Sequence, residues 1–369
     1  MSEAQLEIQA IALVTAVACA LPGAFLVLRR MALMTDAISH SILLGIVLAF
    51  FVVGSVGSPL LIVGAALMGI VTVVLVETLA NTKRVGKDAA IGLVFPALFS
   101  IAVILIARFA DDVHLDVDAV LLGELAFAPF ERLAINGYDL GPRALWVMGV
   151  ILVVNLAGLA LFYKELKVAT FDSALAAALG FSPVLVHYGL MGAVSVTAVG
   201  AFDAVGSVLV VALMIAPPAT AYLLTDRLSR MIATSALIGA VTAIGGFWLA
   251  HWLDASIAGS MATTAGFIFG LAFLFARDRG LVALLRRRKR QRWEFAQEML
   301  VVHLLHHEHG PDAEQENRVA HLQEGLRWEG EFTEEVVGRA RRRGLVSLAD
   351  GLLTLTDAGR DRARRSFAA

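Results

Sequence analysis

Stretch after stretch of about 20 apolar residues, joined by short connections, runs from near the start of this chain to about residue 277. A bilayer core of roughly 30 Å is crossed by about 20 helical residues, so each stretch is long enough to span it. The candidate spans cover residues 8–28, 38–55, 59–80, 90–108, 144–163, 184–200, 206–224, 231–252 and 262–277, the last being short. Lipid offers no partner to a free backbone amide, so apolar stretches of this length must be helices. None of them reads as strands. Of the 369 residues 58% are hydrophobic and 17% charged, which excludes a soluble globular enzyme, a disordered tail and a disulfide scaffold. The single cysteine, Cys19, lies in an apolar run and reads as a small buried hydrophobe. The first span does not read as a cleaved signal peptide, because no basic residue precedes it and no A-x-A site follows.

The connections set the orientation. Arg29 and Arg30 follow the first span, Lys83, Arg84 and Lys87 the third, Lys164 and Lys167 the fifth, Arg227 and Arg230 the seventh, and Arg277 and Arg279 the ninth. The alternate connections are poor in Lys and Arg. The positive-inside rule therefore predicts an external N-terminus and a cytoplasmic C-terminus in a multi-pass cell-membrane protein. The longest connection, 109–142, carries Asp111, Asp112, His114, Asp116, Asp118 and Glu124 and reads as a solvated loop or docking surface. Pro22, Pro96 and the pair Pro217–Pro218 interrupt spans, which lipid tolerates only where protein or a water-filled cavity takes up the freed carbonyls.

The most informative stretch is MTDAISHSILLG, Met34–Gly45. Asp36 and His40 are four apart and share one helix face at the head of an apolar run. A carboxylate and an imidazole suit a divalent cation such as Zn(II), Mn(II) or Fe(II). The same two residues serve equally well as a helix cap and a hydrogen bond across an interface, and spacing alone leaves both readings open. Two ligands are too few to hold a metal, but a twofold homodimer would bring four donors to one axis. Binding there would need ionised carboxylate and neutral imidazole, and so would weaken in acid. His187 and His251 read as packing or interface residues, and Glu77 as a side chain reaching for the interface.

There is no G-x-x-x-x-G-K-[ST] phosphate loop, so an ATP-driven process would need its ATPase on another chain. The segment Lys167–Pro183, KVATFDSALAAALGFSP, fits a short cytoplasmic docking helix with Phe171, Leu175 and Leu179 along one face.

Four segments in order resemble the membrane permeases of the metal-ion ABC transporter family, whose members import zinc, manganese or iron(II). They are Arg29–Gly45 (RRMALMTDAISHSILLG), Lys87–Phe99 (KDAAIGLVFPALF), Phe171–Phe181 and Val208–Leu224 (VLVVALMIAPPATAYLL). The resemblance covers roughly Ile8 to Arg277. It implies that Asp36 and His40 are the metal ligands, and that Phe171, Asp172, Leu175, Leu179 and Gly180 lie in the loop contacting the ATPase. It further implies a cytoplasmic ATPase, an extracytoplasmic metal-binding protein, and a second permease copy or a paralogue. No permanently bound cofactor is expected, only the transported ion, and the resemblance covers all three metals.

Residues 1–280 therefore read as a transmembrane permease domain, and residues 281–369 as a basic linker followed by a small domain. The linker carries RRRKRQR at Arg286–Arg292, suited to anionic lipid. Trp293, Ala296, Leu300 and Leu304 mark one helix face; Asn317–Arg327 and Thr333–Arg343 read as two more helices, with a hairpin turn at Asp350–Gly351. This order resembles the winged-helix domain of iron-dependent repressors. Arg339, Arg341, Arg342 and Arg343 suit phosphate contacts, but the many acids of the segment favour protein contact or regulation over DNA reading. His303 and His307 share a helix face beside Glu308 and suggest a regulatory metal site. The expected fold is thus an all-α polytopic membrane protein of about nine spans with a small cytoplasmic winged-helix α+β domain. The expected function is the permease subunit of an ATP-driven importer of a divalent transition metal, without enzymatic activity of its own. A membrane-tethered metal-responsive regulator is the alternative; a secondary transporter would call for inverted repeats, and none is apparent.

Overall fold

A computed structural model describes residues 2–54, 58, 60–109, 125–135, 138–310 and 313–367. The chain separates at Gly280/Leu281 into two compact units. Asp111, Asp112, His114, Asp116, Asp118 and Glu124 of the long connection lie outside the described residues.

In the first unit, nine of the described helices are long and apolar enough to cross a membrane. They are α1 (Glu3–Leu28), α2 (Leu33–Val53), α3 (Leu60–Asn81), α4 (Lys87–Phe109), α5 (Arg143–Leu161), α8 (Pro183–Val205), α9 (Ser207–Leu224), α10 (Leu228–Leu253) and α11 (Ile257–Phe275). The short helices α6 (Tyr163–Phe171) and α7 (Ser173–Ala178) lie between α5 and α8. Helix α1 starts five residues before its apolar run because Ser2 and Gln5 cap it reciprocally: Gln5 N donates to Ser2 Oγ at 3.3 Å, and Ser2 N donates to Gln5 Oε1 at 2.9 Å.

Helix α1 is the axis of the unit. Its residues Ala18–Leu26 are all buried, and it packs against α10, α9, α5 and α8. The close approach to α9 requires Gly23, since a Cβ there would press into the Met214 carbonyl and lie 3.1 Å from Pro218 Cγ. Asn155 of α5 donates to Thr197 Oγ1 of α8 (2.8 Å) and to the Ala18 carbonyl of α1 (3.2 Å), fixing the rotation of three helices with one amide. A second layer forms around α2, which packs on α3 and α4. Large apolar side chains such as Val52, Ile104, Val150 and Phe267 remain exposed, as a lipid-facing surface requires.

Two expectations for this unit are corrected. The connection before α5 holds an antiparallel pair, β1 (Arg132–Ile135) and β2 (Tyr138–Pro142), where no strands were expected. The residues between them in sequence, Asn136–Gly137, are the dipeptide that most favours a tight hairpin. Arg132 fastens the pair, reaching Asp139 of β2 and, at 3.2 Å, Glu7 of α1. The proposed single docking helix is two, because Asp172 takes an extended conformation and its Oδ1 accepts from Leu175 N (2.9 Å), capping α7 afresh.

The second unit comprises α12 (Leu281–His307), α13 (Ala313–Glu316), α14 (Val319–Gly325), α15 (Gly330–Arg342), the hairpin β3 (Val346–Ala349) and β4 (Leu352–Leu355), and α16 (Asp357–Phe367). Leu300, Val301 and Leu304 of α12 join Leu322, Val336 and Leu353 in its core. The hairpin turns at Asp350 (φ 50°) and Gly351 (φ 79°), two successive left-handed positions that match a type I′ turn. Helix α16 was not anticipated, although Thr356 marks its start by accepting from Gly359 N at 3.1 Å.

Candidate functional site

Helix α2 presents Asp36 and His40 one turn apart. Ala32 occupies its N-cap with no side-chain cap bond, so Asp36 is not a capping residue. His40 Nε2 lies 3.4 Å from Asp36 Oδ1, and the two side chains keep 31% and 40% exposure respectively. Their neighbours along the helix, Thr35, Ala37, Ile38 and Ser39, are buried. The helix thus turns its packed face to α3 and leaves the carboxylate and imidazole on an accessible one. Helix α4 forms the wall: the Phe95 ring stacks on His40 at 5.5 Å and Phe99 meets it edge-on at 6.1 Å. Pro96 lies between those phenylalanines and has no N–H to give the Gly92 carbonyl, so α4 carries a break in its hydrogen-bond ladder beside the pair. The arrangement offers one carboxylate oxygen and one imidazole nitrogen against aromatic faces. Four coordination positions cannot be filled from this one copy of the pair. A cavity of about 640 Å³ between α1, α5 and α8 contains neither residue.

The segment expected to meet an ATPase is exposed at its apolar positions: Phe171 63%, Leu175 48% and Leu179 57%. Asp172 caps α7, and Gly180, at φ 86°, turns the chain toward α8.

Sequence reasoning missed a polar cluster that joins α1, α3, α6 and α8. His187 Nε2 lies 2.6 Å from Glu77 Oε1, and Tyr188 Oη donates to Glu77 Oε2 at 3.2 Å. Arg29 Nη1 is 3.2 Å from His187 Nδ1, and Arg29 Nε donates to Thr170 Oγ1 at 3.2 Å. Glu77 is therefore paired rather than reaching outward alone, because the start of α8 passes beside the end of α3. No short-range pattern links residues this far apart in sequence. His251 is exposed, its ring 5.9 Å from Trp248.

In the second unit His303 and His307 do share a face of α12, with ring centroids 4.7 Å apart. Burial holds the His303 imidazole below its ordinary pKa, although the backbone carbonyl of Glu316, 3.2 Å from Nε2, acts in the opposite direction. Glu308 is not beside them in function: Arg360 takes its carboxylate at 2.7 Å. Of the arginines read as phosphate contacts, Arg339 pairs along its own helix with Glu335 at 2.6 Å and lies 4.2 Å above the Trp293 ring, its side chain still 36% exposed.

Residues 3–276 match the model of the ABC 3 transport family. The chain is similar to the zinc transport system membrane protein TroD of Treponema pallidum, 48% identical over 96% of both chains. It is also 48% identical to the manganese transport system membrane protein MntD of Bacillus subtilis, over 72% of this chain and 90% of that one. Among solved structures, PsaBC from Streptococcus pneumoniae in complex with Fab matches at a TM-score of 0.63 and 26% identity, covering 77% of this chain and 96% of that one. With its nine apolar helices and a match running from α1 to the end of α11, the chain belongs to the ABC 3 transport family.

Proposed function

We propose that this chain is the membrane permease of an ATP-driven importer of a divalent transition metal, manganese, zinc or iron(II), with Asp36 and His40 as its transient ligands. The observation that carries the reading is the accessible carboxylate–imidazole pair on α2, one turn apart and walled by Phe95 and Phe99. The relatives named for zinc and manganese transport support the cargo class. An intramembrane carboxylate left on an open face is costly unless it serves a pathway. A second copy of the chain, or a paralogue, would complete the coordination from across a shared axis. A site assembled from two subunits can open when they move apart, which suits an ion that must be released.

The energy comes from an ATPase on a partner chain, and an extracytoplasmic metal-binding protein delivers the ion. Phe171, Leu175 and Leu179 form the exposed apolar face that the ATPase would cover, with Asp172 and Gly180 fixing the helix that presents it. Arg29 then links this segment to α1: it holds Thr170 of α6 and His187 of α8, and it lies only seven positions before Asp36. Movement of the docking segment is thereby transmitted toward the ligands. The basic connections support an external N-terminus and a cytoplasmic second unit. In that unit, helices α12, α14 and α15 followed by the hairpin support a winged-helix-like domain. The pairing of Arg339 with Glu335 and with the Trp293 ring favours protein contact or regulation over DNA binding.

The test is metal accumulation, measured by mass spectrometry, in cells lacking other importers. Asp36→Ala and His40→Ala are each expected to reduce uptake to background while the permease still assembles with its ATPase. Normal uptake by either variant removes the ligand assignment.

A further inference from the structure

Helix α12 and the short segment after it bring together a set of donors that transport does not use. His303, His307 and Glu316 each offer a ligand atom, and those atoms all lie within 4.8 Å of one another. All three residues are half-buried. The two imidazoles come from one helix face, and the carboxylate arrives from the end of α13. The carboxylate nearest in sequence, Glu308, is already taken by Arg360, so Glu316 is the acid available. Two further contacts orient the set. His303 Nε2 lies 3.2 Å from the Glu316 carbonyl oxygen, so an N–H there fixes the ring and leaves Nδ1 with a free lone pair. His321 Nε2 lies 2.7 Å from Glu316 Oε2, holding the carboxylate from behind and leaving its other oxygen. Hydrogen bonds of this kind behind imidazole and carboxylate ligands are the usual support of a metal site.

We infer that His303, His307 and Glu316 form a second divalent transition-metal site, separate from Asp36 and His40, with His321 as a positioning residue. Two imidazoles and one carboxylate are the donor set of sites that hold borderline divalent ions and leave coordination positions to water. Metal–ligand bonds of about 2.0–2.2 Å place neighbouring donor atoms roughly 3.0–3.5 Å apart. Closure from the present spacing is therefore a matter of side-chain rotation. The consequence reaches the hairpin. The residues after Glu316 are bonded to it, Leu353 N donating to the Asn317 carbonyl (3.0 Å) and Val319 N to that of Gly351 (3.2 Å). An ion joining Glu316 to α12 thus fastens the hairpin to the long helix, and the second unit stiffens when metal is present.

The full-length chain in detergent, stripped by chelation, is titrated with zinc and separately with manganese. Bound metal and backbone amide exchange are followed together. The inference expects one equivalent per chain that persists in Asp36→Ala, accompanied by at least tenfold slower exchange in residues 313–325 and 351–353. Glu316→Gln, which keeps the backbone carbonyl contact to His303, should lose that equivalent and the added protection while exchange in α15 stays as in the parent chain. The double variant His303→Asn/His307→Asn should do the same. His321→Asn should keep the stoichiometry but weaken binding by about 10–100-fold. Retention of the equivalent and the protection in Glu316→Gln, or metal binding that disappears with Asp36→Ala alone, overturns the second site. Uptake plays no part in the readout, so failure here and failure of the transport reading are distinct results.

Discussion

At the scale of single residues, Asp36 and His40 pair with each other and keep an accessible face. Asp139, outside the spans, shows the opposite treatment. The Gly141 amide donates to its carboxylate at 2.9 Å and Arg132 pairs with it, which together hold its pKa below the ordinary carboxylate range. A carboxyl depressed in the folded state adds stability above its unfolded pKa, near 3.9 for Asp, and that contribution disappears as the pH falls through the lower folded value. The protection of the β1–β2 hairpin amides, measured relative to their intrinsic exchange rates, should therefore be high at pH 7 and fall below about pH 4. In Asp139→Asn that protection should be lower at pH 7 and should lose most of this acid dependence. Because Asp139 is solvent-exposed, the protection should also shrink in high salt.

At the scale of elements, the docking segment is the place where shape and function meet. The break at Asp172 turns what periodicity reads as one helix into two, and the second presents its apolar side chains to solvent. Leu175→Glu and Leu179→Glu leave the Asp172 cap intact but put charge on the face proposed to meet the ATPase. Each is expected to lower metal uptake at least tenfold and to abolish permease stimulation of ATP hydrolysis, with the amount of permease in the membrane unchanged. Uptake at the parent rate would place the contact elsewhere. The spanning helices were legible in the sequence because lipid makes length and hydropathy nearly sufficient, and the D-x-x-x-H pair was legible because a helix maps a spacing of four onto one face. The Glu77–His187–Arg29 cluster was not, since its members meet only through packing across long stretches of chain. Glu316 and His321 escaped for a related reason: two short helices and a turn decide where they point, and neither has a periodicity to read. The missed hairpin had a local signal in Asn136–Gly137, hidden by the assumption that an acidic connection is a plain loop.

At the scale of the whole molecule, the family match ends at residue 276 and the second unit begins at Leu281. Asp36 and His40, the proposed ion-selecting groups, lie in the first unit. Removing residues 281–369 should therefore leave the ratio of manganese to zinc uptake unchanged in competition assays while altering regulation or the lifetime of the permease. A changed ratio would mean that the second unit selects the ion.

The burial of α1 also has a consequence for biogenesis. This helix is translated before any of the helices that enclose it, and α9, which fits against Gly23, begins about 180 residues later. At typical synthesis rates of 5–20 residues per second, α1 waits roughly 10–40 s in the bilayer before that neighbour emerges. An 18-residue stretch of mean hydropathy 2.4 makes it apolar enough to cross the bilayer before its neighbours arrive, yet its small-residue surface is open to the wrong neighbours throughout that interval. The helix best protected in the finished transporter is thus the one most vulnerable during its assembly.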